Sequence, residues 1–149
     1  MKLENEIKQV KFRSEYQKAI LNIYYTNCFI GSQFHEALRE HKITQQQYNI
    51  LRILRGQHPE IASMGLIKER MLDKSSDVSR LVERLRIKKL IERRTCKKDR
   101  RQADVKITNS GLDLLVKTDG CEKQMDNILS NLSIGEVKSL NDLLDKIRD

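Results

Sequence analysis

The sequence predicts a mainly α-helical domain that carries one small β-hairpin. Its 149 residues include one proline, six glycines and no tryptophan, and its many Leu, Ile, Lys, Glu and Gln residues favour helices. Apolar residues recur at steps of three and four along most of the chain but alternate with polar residues over 103–107, as in a strand. A helix followed by a basic hairpin is the arrangement of a winged helix-turn-helix lobe, and the length fits one domain with a core of its own.

The N-terminal part of the chain predicts one long helix that ends near Arg39. Ser14 and Gln17 have the spacing of a capping box at its start. Three residues widen its apolar band, namely Tyr25, Cys28 and Phe29. A band of that width predicts contacts on two sides, one with the protein's own core and one with another subunit.

Shorter elements follow in the middle of the chain. Thr44 is expected to cap a second helix, which ends at 56–59. Residues 61–62 fit a brief strand, and Ser63 is expected to cap a short helix. Residues 73–76 then form a polar turn that is rich in N-cap residue types.

The next segment predicts an amphipathic helix over about 76–89 and then the hairpin. The apolar residues of this helix stand at i, i+3, i+4 and i+7, and they are Val78, Leu81, Val82 and Leu85. Alternation then predicts strands at 91–95 and 103–107, joined by a hairpin tip at 96–101.

Two helices complete the chain. Thr108 is expected to cap the first of them, which Gly120 should weaken near its middle. Ser133 and Glu136 have the spacing of a second capping box, which predicts the start of the final helix.

All of the net charge lies in one stretch of the sequence. Residues 74–106 contain 13 Lys and Arg and 5 Asp and Glu, a net charge of +8, whereas the other 116 residues contain 16 of each sign. A concentrated positive field destabilises a compact fold through self-repulsion, so a polyanionic partner is the natural reason to keep it.

The amphipathic helix carries polar groups opposite its apolar face. Ser76 and Arg80 lie there, with Ser79 and Arg84 on the flanks. Guanidiniums and hydroxyls of this kind suit the major groove of DNA, where Arg pairs with guanine and Ser reaches donors or acceptors. The alternative is a solvated charged face, but the basic hairpin that follows favours the nucleic-acid interpretation.

Two acidic residues of this helix have other expected roles. Asp77, in the first turn, favours the helix dipole rather than a DNA contact. Glu83 either holds Arg80 or Arg86 in place or accepts a hydrogen bond from a cytosine amine, and we favour the first role.

The hairpin tip is strongly basic. Its cations are Lys97, Lys98, Arg100 and Arg101, and such a tip is suited to the minor groove. Asp99 fits there if it shapes the loop, by pairing with Arg101 or by capping the turn. The alternative is an Asp that simply follows turn chemistry.

The sequence offers no signal for catalysis, metal or cofactor binding. It lacks a glycine-rich phosphate loop, a nucleophile elbow, a paired-acid motif and a zinc-ligand pattern. Its three cysteines form no C-x-x-C, so no disulfide framework is expected. No signal peptide or apolar run long enough for a bilayer is found, so the expected partner is not a membrane and the expected location is the cytoplasm.

The segment D-R-R-Q-A-D-V-K-I-T-N-S-G over 99–111 resembles the wing-to-helix segment of the MarR family of bacterial transcriptional regulators. That family's pattern is close to D-x-R-x-x-x-V-x-L-T-x-x-G. The residues in register are Asp99, Arg101, Val105, Thr108 and Gly111. Residues 73–91 are similar to the family's recognition helix and following strand, and 43–54 to its second helix, although Lys89 stands where the family usually has Gly.

The resemblance implies a single MarR-like domain and a homodimer. Residues 43–108 would form the winged-helix DNA-binding lobe, while 1–42 and 109–149 would supply dimerisation helices. The dimer would bind a pseudo-palindromic operator in double-stranded DNA as a repressor. The resemblance implies that Arg101 enters the minor groove and Asp99 steadies the wing. It further implies that the residues facing the major groove are Ser75, Ser76, Ser79 and Arg80.

The resemblance also implies release of the DNA by a small aromatic anion as effector. Its pocket would lie near Tyr24, Tyr25, Cys28 and Phe29, residues that by themselves equally fit plain core.

Two alternatives to an effector-released repressor stay open. One is an architectural winged-helix protein that binds nucleic acid without sequence preference. The other is a redox-sensing regulator that uses Cys28 or Cys96. Cys96 has the more electropositive setting, beside Lys97 and Lys98.

Overall fold

The structure is a computed structural model that describes residues 1–95 and 103–149. In chain order the elements are α1 (Leu3–Glu6), α2 (Glu15–Arg39), α3 (Gln45–Gln57), β1 (Ala62–Ser63), α4 (Met64–Arg70), α5 (Val78–Ile87), β2 (Ile91–Thr95), β3 (Ala103–Ile107), α6 (Asn109–Ile128) and α7 (Ile134–Arg148). The chain divides into two compact units, one formed by 1–36 with 123–149 and the other by 37–122.

Side-chain caps fix where several helices begin. At α3 the capping box is complete, since Thr44 Oγ1 accepts from the Gln47 N–H and Gln47 Oε1 accepts from the Thr44 N–H, both at 3.2 Å. Ser63 caps α4 by accepting from the Leu66 N–H at 3.1 Å. These caps confirm the predicted helix starts, because each satisfies N–H groups that the first turn leaves without a partner.

The cap of α2 differs in one detail from the expected box. Ser14 Oγ accepts from the Gln17 N–H at 3.2 Å, as predicted. Gln17 Oε1, however, accepts from the Arg13 N–H at 2.7 Å rather than from Ser14. The helix nevertheless spans Glu15–Arg39, which confirms the predicted long N-terminal helix.

The sheet has three antiparallel strands in the order β1-β3-β2. Ile91 pairs with Ile107 and Arg93 with Val105 between β2 and β3, and Ala62 pairs with Val105 between β1 and β3. Both hairpin strands match the prediction, while β1 begins one residue later than expected. The predicted hairpin tip lies outside the described residues.

The core of the 37–122 unit lies between α3, α4, α5 and the sheet. Its fully buried apolar side chains come from every one of these elements and include Leu51, Leu54, Ile67, Val82, Leu85 and Val105. Leu115 of α6 is buried as well. The mainly helical fold with a small hairpin is thus confirmed as a winged helix-turn-helix.

Helix α6 runs unbroken through Gly120. A glycine in a helix interior costs roughly 1 kcal/mol relative to alanine, and that cost is too small to end this helix. Thr108 Oγ1 accepts from the Gly111 N–H at 3.1 Å and so caps the helix as predicted.

Helix α1 was not predicted from the sequence. Its one buried side chain is Leu3, and Glu4 forms an ion pair with Lys18 of α2 at 2.6 Å. A single turn shows no periodicity of its own, so nothing in the sequence pattern predicted this helix.

Candidate nucleic-acid interface

Helix α5 is fixed to the protein along one face. Val78, Val82 and Leu85 are buried, and the helix contacts α3, α4 and β2. Asp77 is its N-cap, with a carboxylate that accepts from the Arg80 N–H at 3.1 Å. Asp77 therefore serves the helix start, in agreement with its expected role.

The C-terminal end of α5 is a Schellman motif. The Lys89 N–H donates to the Arg86 carbonyl at 2.9 Å and the Leu90 N–H to the Leu85 carbonyl at 3.1 Å. Lys89 holds a left-handed conformation with φ of 60°, which is usually the place of a glycine. The helix thus keeps a left-handed end with a lysine there, and β2 begins two residues later.

The predicted contact residues of this segment lie on its accessible side. Ser75, Ser79, Arg80 and Arg84 are exposed, and Ser76 is half-buried. Within the part of the chain that the structure describes, no ion pair is found for Arg80 or Arg84. Both guanidiniums are therefore available to an anionic partner.

Glu83 pairs with Arg86 rather than with Arg80. Glu83 Oε2 accepts from Arg86 Nε at 3.0 Å and Oε1 accepts from Nη2 at 2.7 Å. The Arg86 guanidinium lowers the pKa of the Glu83 carboxyl through these hydrogen bonds. Glu83 therefore holds a cation in place, which is the role that we favoured.

Asp73 is a residue of this site that the sequence reasoning did not single out. Its carboxylate accepts hydrogen bonds from Ser75 and Ser76, two of the predicted contact residues. The signal was an Asp followed by Ser at the second and third positions, which is the spacing of an Asx-turn.

A second basic surface borders the end of α5. An open groove of about 410 Å³ is lined by Arg86, Lys89, Arg93 and Arg94, among others. Arg94 pairs with Glu92 at 2.8 Å. These cations contribute to the net charge of residues 74–106, but their spacing in the sequence did not predict that they line one groove.

The predicted contact and wing-shaping residues of the hairpin tip lie outside the described residues. They are Lys97, Lys98, Asp99, Arg100 and Arg101, and they stay predictions.

The predicted effector-pocket residues lie on one stretch of α2. Tyr24, Tyr25, Cys28 and Phe29 are all exposed. The Tyr25 hydroxyl donates to Glu6 Oε2 at 2.7 Å, and this hydrogen bond raises the pKa of Tyr25. Helix α1 thus holds one of the four side chains by its polar end.

The unit formed by 1–36 and 123–149 exposes many large apolar side chains. On α2 they include Ile20, Ile23 and Phe29, and on α7 they are Ile134, Leu143 and Ile147. Helix α7 has no buried residue at all. Exposed apolar surface of this extent marks an interaction surface.

Residues 1–95 and 103–149 contain neither a helix suited to a bilayer nor a cluster suited to a metal ion. None of the helices there is long and apolar enough to cross a bilayer. No cluster of three or more His, Cys, Asp or Glu residues that could hold a metal ion is found among them.

Known proteins share this sequence pattern and this fold. The sequence model of the MarR family matches residues 41–102. The MarR transcription factor from Planctomyces limnophilus is 29% identical, with a TM-score of 0.68 over 91% of this chain and 98% of that one.

Two further solved structures share the fold at lower identity. MepR from S. aureus, solved with DNA, is 22% identical, with a TM-score of 0.78 over 92% of this chain and 97% of that one. BpsR from Bordetella bronchiseptica, whose DNA binding is regulated by 6-hydroxynicotinic acid, is 23% identical, with a TM-score of 0.74 over 89% and 98%.

Proposed function

We propose that this chain is a winged-helix transcriptional regulator of the MarR family, whose sequence model matches residues 41–102, and that it binds double-stranded DNA with sequence preference. The observation that carries this proposal is the accessible side of α5. Ser79, Arg80 and Arg84 are exposed there, within the segment that holds the whole net charge of +8. The apolar side of the same helix is buried, so α5 presents these groups in a fixed orientation to a major groove.

The wing is the second proposed contact. The basic tip residues, above all Arg101, would enter the minor groove next to the site of α5. Support comes from the register of 99–111 with the family's pattern and from strands β2 and β3, which carry the tip.

We also propose that two copies form the DNA-binding unit. The support is the exposed apolar surface of α2 and α7, including Ile23, Phe29, Leu143 and Ile147. A two-fold dimer carries two copies of α5, which reach successive major grooves about 10 base pairs apart. The operator is then pseudo-palindromic.

Repression and release by a small aromatic anion complete the proposal. The regulation of BpsR by an aromatic acid supports this class of effector. Tyr24, Tyr25, Cys28 and Phe29 offer aromatic surface and a phenol hydroxyl on one stretch of α2. Screening aromatic acids for release of bound operator tests this part independently of DNA recognition.

The test of DNA recognition is to recover genomic fragments that the purified protein retains and to compete the recovered operator with unrelated duplex. A regulator should prefer its operator by about 10³-fold or more. Arg80→Ala should lower that preference by about 1–3 kcal/mol if its guanidinium reads a base. Arg148→Ala, at the end of α7, is the matched control and should leave the preference unchanged.

Equal binding of operator and unrelated duplex by the wild-type protein would contradict the proposal. That result would instead identify an architectural nucleic-acid-binding protein. If Arg80→Ala leaves the operator preference unchanged, Arg80 contacts a phosphate rather than a base.

A further inference from the structure

The turn between α4 and α5 contains a carboxylate that engages two serines at once. Asp73 Oδ1 accepts from the Ser75 N–H at 2.9 Å and from the Ser75 hydroxyl at 2.6 Å. Asp73 Oδ2 accepts from the Ser76 hydroxyl at 2.9 Å. Both serines are predicted contact residues of the DNA-binding face. Asp73 therefore affects which hydrogen bonds their hydroxyls can still make to DNA.

The direction of these hydrogen bonds follows from the groups themselves. An ionised carboxylate has no proton and only accepts. The hydrogen bonds from Ser75 and Ser76 lower the pKa of Asp73, which is therefore ionised at neutral pH. A serine hydroxyl has one proton and two lone pairs. Because each serine donates its only hydroxyl proton to Asp73, its oxygen can only accept a further hydrogen bond.

The turn holds this carboxylate in place. Met71, two residues before it, is buried. The Leu72 N–H donates to Asn49 Oδ1 of α3 at 3.0 Å, and the Ser76 N–H lies 3.3 Å from the Asp73 carbonyl oxygen. The arrangement of Asp73 and the two hydroxyls is thus set by the protein before any partner binds.

We propose that Asp73 is a specificity-determining positioning residue that turns Ser75 and Ser76 into obligate hydrogen-bond acceptors, which read exocyclic amino groups of adenine or cytosine. This inference rests on the proposed function, since it assigns a base chemistry to the same DNA-binding face.

The bases differ in what they offer to such an acceptor. In the major groove, adenine N6 and cytosine N4 donate hydrogen bonds, whereas guanine O6 and N7 and thymine O4 only accept. Phosphate oxygens only accept as well, and the charge of Asp73 repels them. The two serines therefore favour amino-bearing bases and contribute no phosphate contact, although serine hydroxyls otherwise serve either partner.

The experiment removes single amino groups from the recovered operator. Each adenine of one half-site is replaced in turn by unsubstituted purine, and each cytosine by 2-pyrimidinone, so that only the exocyclic amino group is lost. Binding is measured for the wild-type protein and for Ser75→Ala, Ser76→Ala and Asp73→Asn. Double-mutant cycles then separate a lost contact from weaker base pairing, which affects every protein variant alike.

At one or two positions, removal of the amino group should lower the affinity of the wild-type protein about 3- to 10-fold more than that of the matching serine variant. This is the effect of one hydrogen bond. Asp73→Asn keeps the shape, but its amide donates to a serine oxygen and frees that hydroxyl proton. This variant should accept guanine or thymine at one position, because the freed hydroxyl can donate to O6 or O4 there as well as accept from an amino group. Asp113→Asn, an exposed acidic residue on α6, is the charge-matched control and should keep the wild-type pattern.

Two results would overturn the inference while leaving operator preference intact. In one, Ser75→Ala and Ser76→Ala weaken all duplexes equally, as for phosphate contacts. In the other, removal of each amino group lowers the affinity of the wild type and of the serine variants by the same factor. A wild-type protein without operator preference would remove the proposed function and this inference together. If Asp73→Asn fails to fold, as judged by circular dichroism, the serine variants alone still decide.

Discussion

Gly111 occupies a position where no side chain fits. A Cβ added there would lie 2.3 Å from the Leu90 carbonyl oxygen and 2.7 Å from Ile107 Cγ1. That carbonyl accepts from the Thr108 N–H at 3.1 Å, so it is fixed at the junction of β3 and α6. The glycine lets α6 begin directly beneath the chain that leaves α5.

Gly111→Ala should therefore lower the free energy of unfolding by about 1–3 kcal/mol, because the new methyl group meets backbone rather than a movable side chain. Urea denaturation measures it. Gly120→Ala is the matched control, since nothing lies within 4 Å of its added Cβ, and it should raise the stability by about 1 kcal/mol through helix propensity. Equal effects of the two substitutions would contradict the close approach at Gly111.

Lys89 presents the opposite situation, a side chain where glycine is favoured. Its φ of 60° is costly for a residue with a Cβ, by roughly 1–2 kcal/mol, and glycine's greater freedom in the unfolded chain offsets part of the gain. Lys89→Gly should thus raise the free energy of unfolding by about 0.5–1 kcal/mol, measured by urea denaturation. Lys117→Gly, on the exposed side of α6, should lower it by about 1 kcal/mol. Destabilisation by Lys89→Gly would show that the lysine side chain itself holds the turn.

Among the elements, α7 depends on its cap because it has no buried side chain. Glu136 Oε2 accepts from the Ser133 N–H and hydroxyl, both at 2.8 Å, and Ser133 Oγ accepts from the Glu136 N–H at 3.3 Å. The Ser133 backbone and hydroxyl hydrogen bonds lower the pKa of Glu136.

A lowered folded-state pKa means that the Glu136 carboxylate stabilises α7 above its unfolded pKa, near 4.3, and that this contribution is lost as pH falls through the folded value. Glu136→Gln keeps the reciprocal hydrogen bonds but not the charge. Its thermal midpoint should lie below that of the wild type at pH 7, and the gap should close towards pH 3. Asp142→Asn controls for loss of one charge on the same helix. A gap that stays constant with pH would contradict the ionised cap.

The elements also show what the sequence could predict. Caps at Thr44, Ser63 and Ser133 depend on groups three residues apart, so the pattern alone located those helix starts. The pairing of α1 with α2 involves Glu4 and Lys18, which are distant in sequence. No periodicity in the sequence therefore predicted it.

In the candidate interface too, residue spacing predicted some features and not others. Helical spacing placed Arg80 and Arg84 on the accessible side of α5 and its apolar residues on the buried side. The contacts of Asp73 with Ser75 and Ser76 depend on how the turn folds against Asn49 of α3. Spacing alone did not distinguish that carboxylate from an ordinary turn residue.

At the scale of the whole molecule, the exposed apolar residues of α2 and α7 predict self-association. Burying one such side chain stabilises a dimer by roughly 1.5–3 kcal/mol, and a carboxylate in its place has to be desolvated. Ile23→Asp should therefore raise the dimer dissociation constant at least about tenfold, measured by sedimentation equilibrium. Ile61→Asp, at an isoleucine of the 37–122 unit that is also exposed, should leave it unchanged. A wild-type protein that sediments as a single subunit at micromolar concentration would contradict the proposed dimer.

The separation of charge predicts how salt acts on DNA binding. Residues 74–106 carry the net charge of +8 and the remainder is neutral, so phosphate neutralisation should come from that segment alone. Each phosphate contact releases a counterion, and the logarithm of affinity falls linearly with the logarithm of salt concentration.

Arg84→Ala should reduce this slope by about 1 per subunit, or about 2 for a dimer, while the order of preferred duplexes stays the same. Lys18→Ala, whose ammonium pairs with Glu4 in the neutral part, should keep the wild-type slope. If Arg84→Ala kept the slope but changed the preferred sequence, Arg84 would read a base and the phosphate contacts would have to come from the wing and the groove beside Lys89.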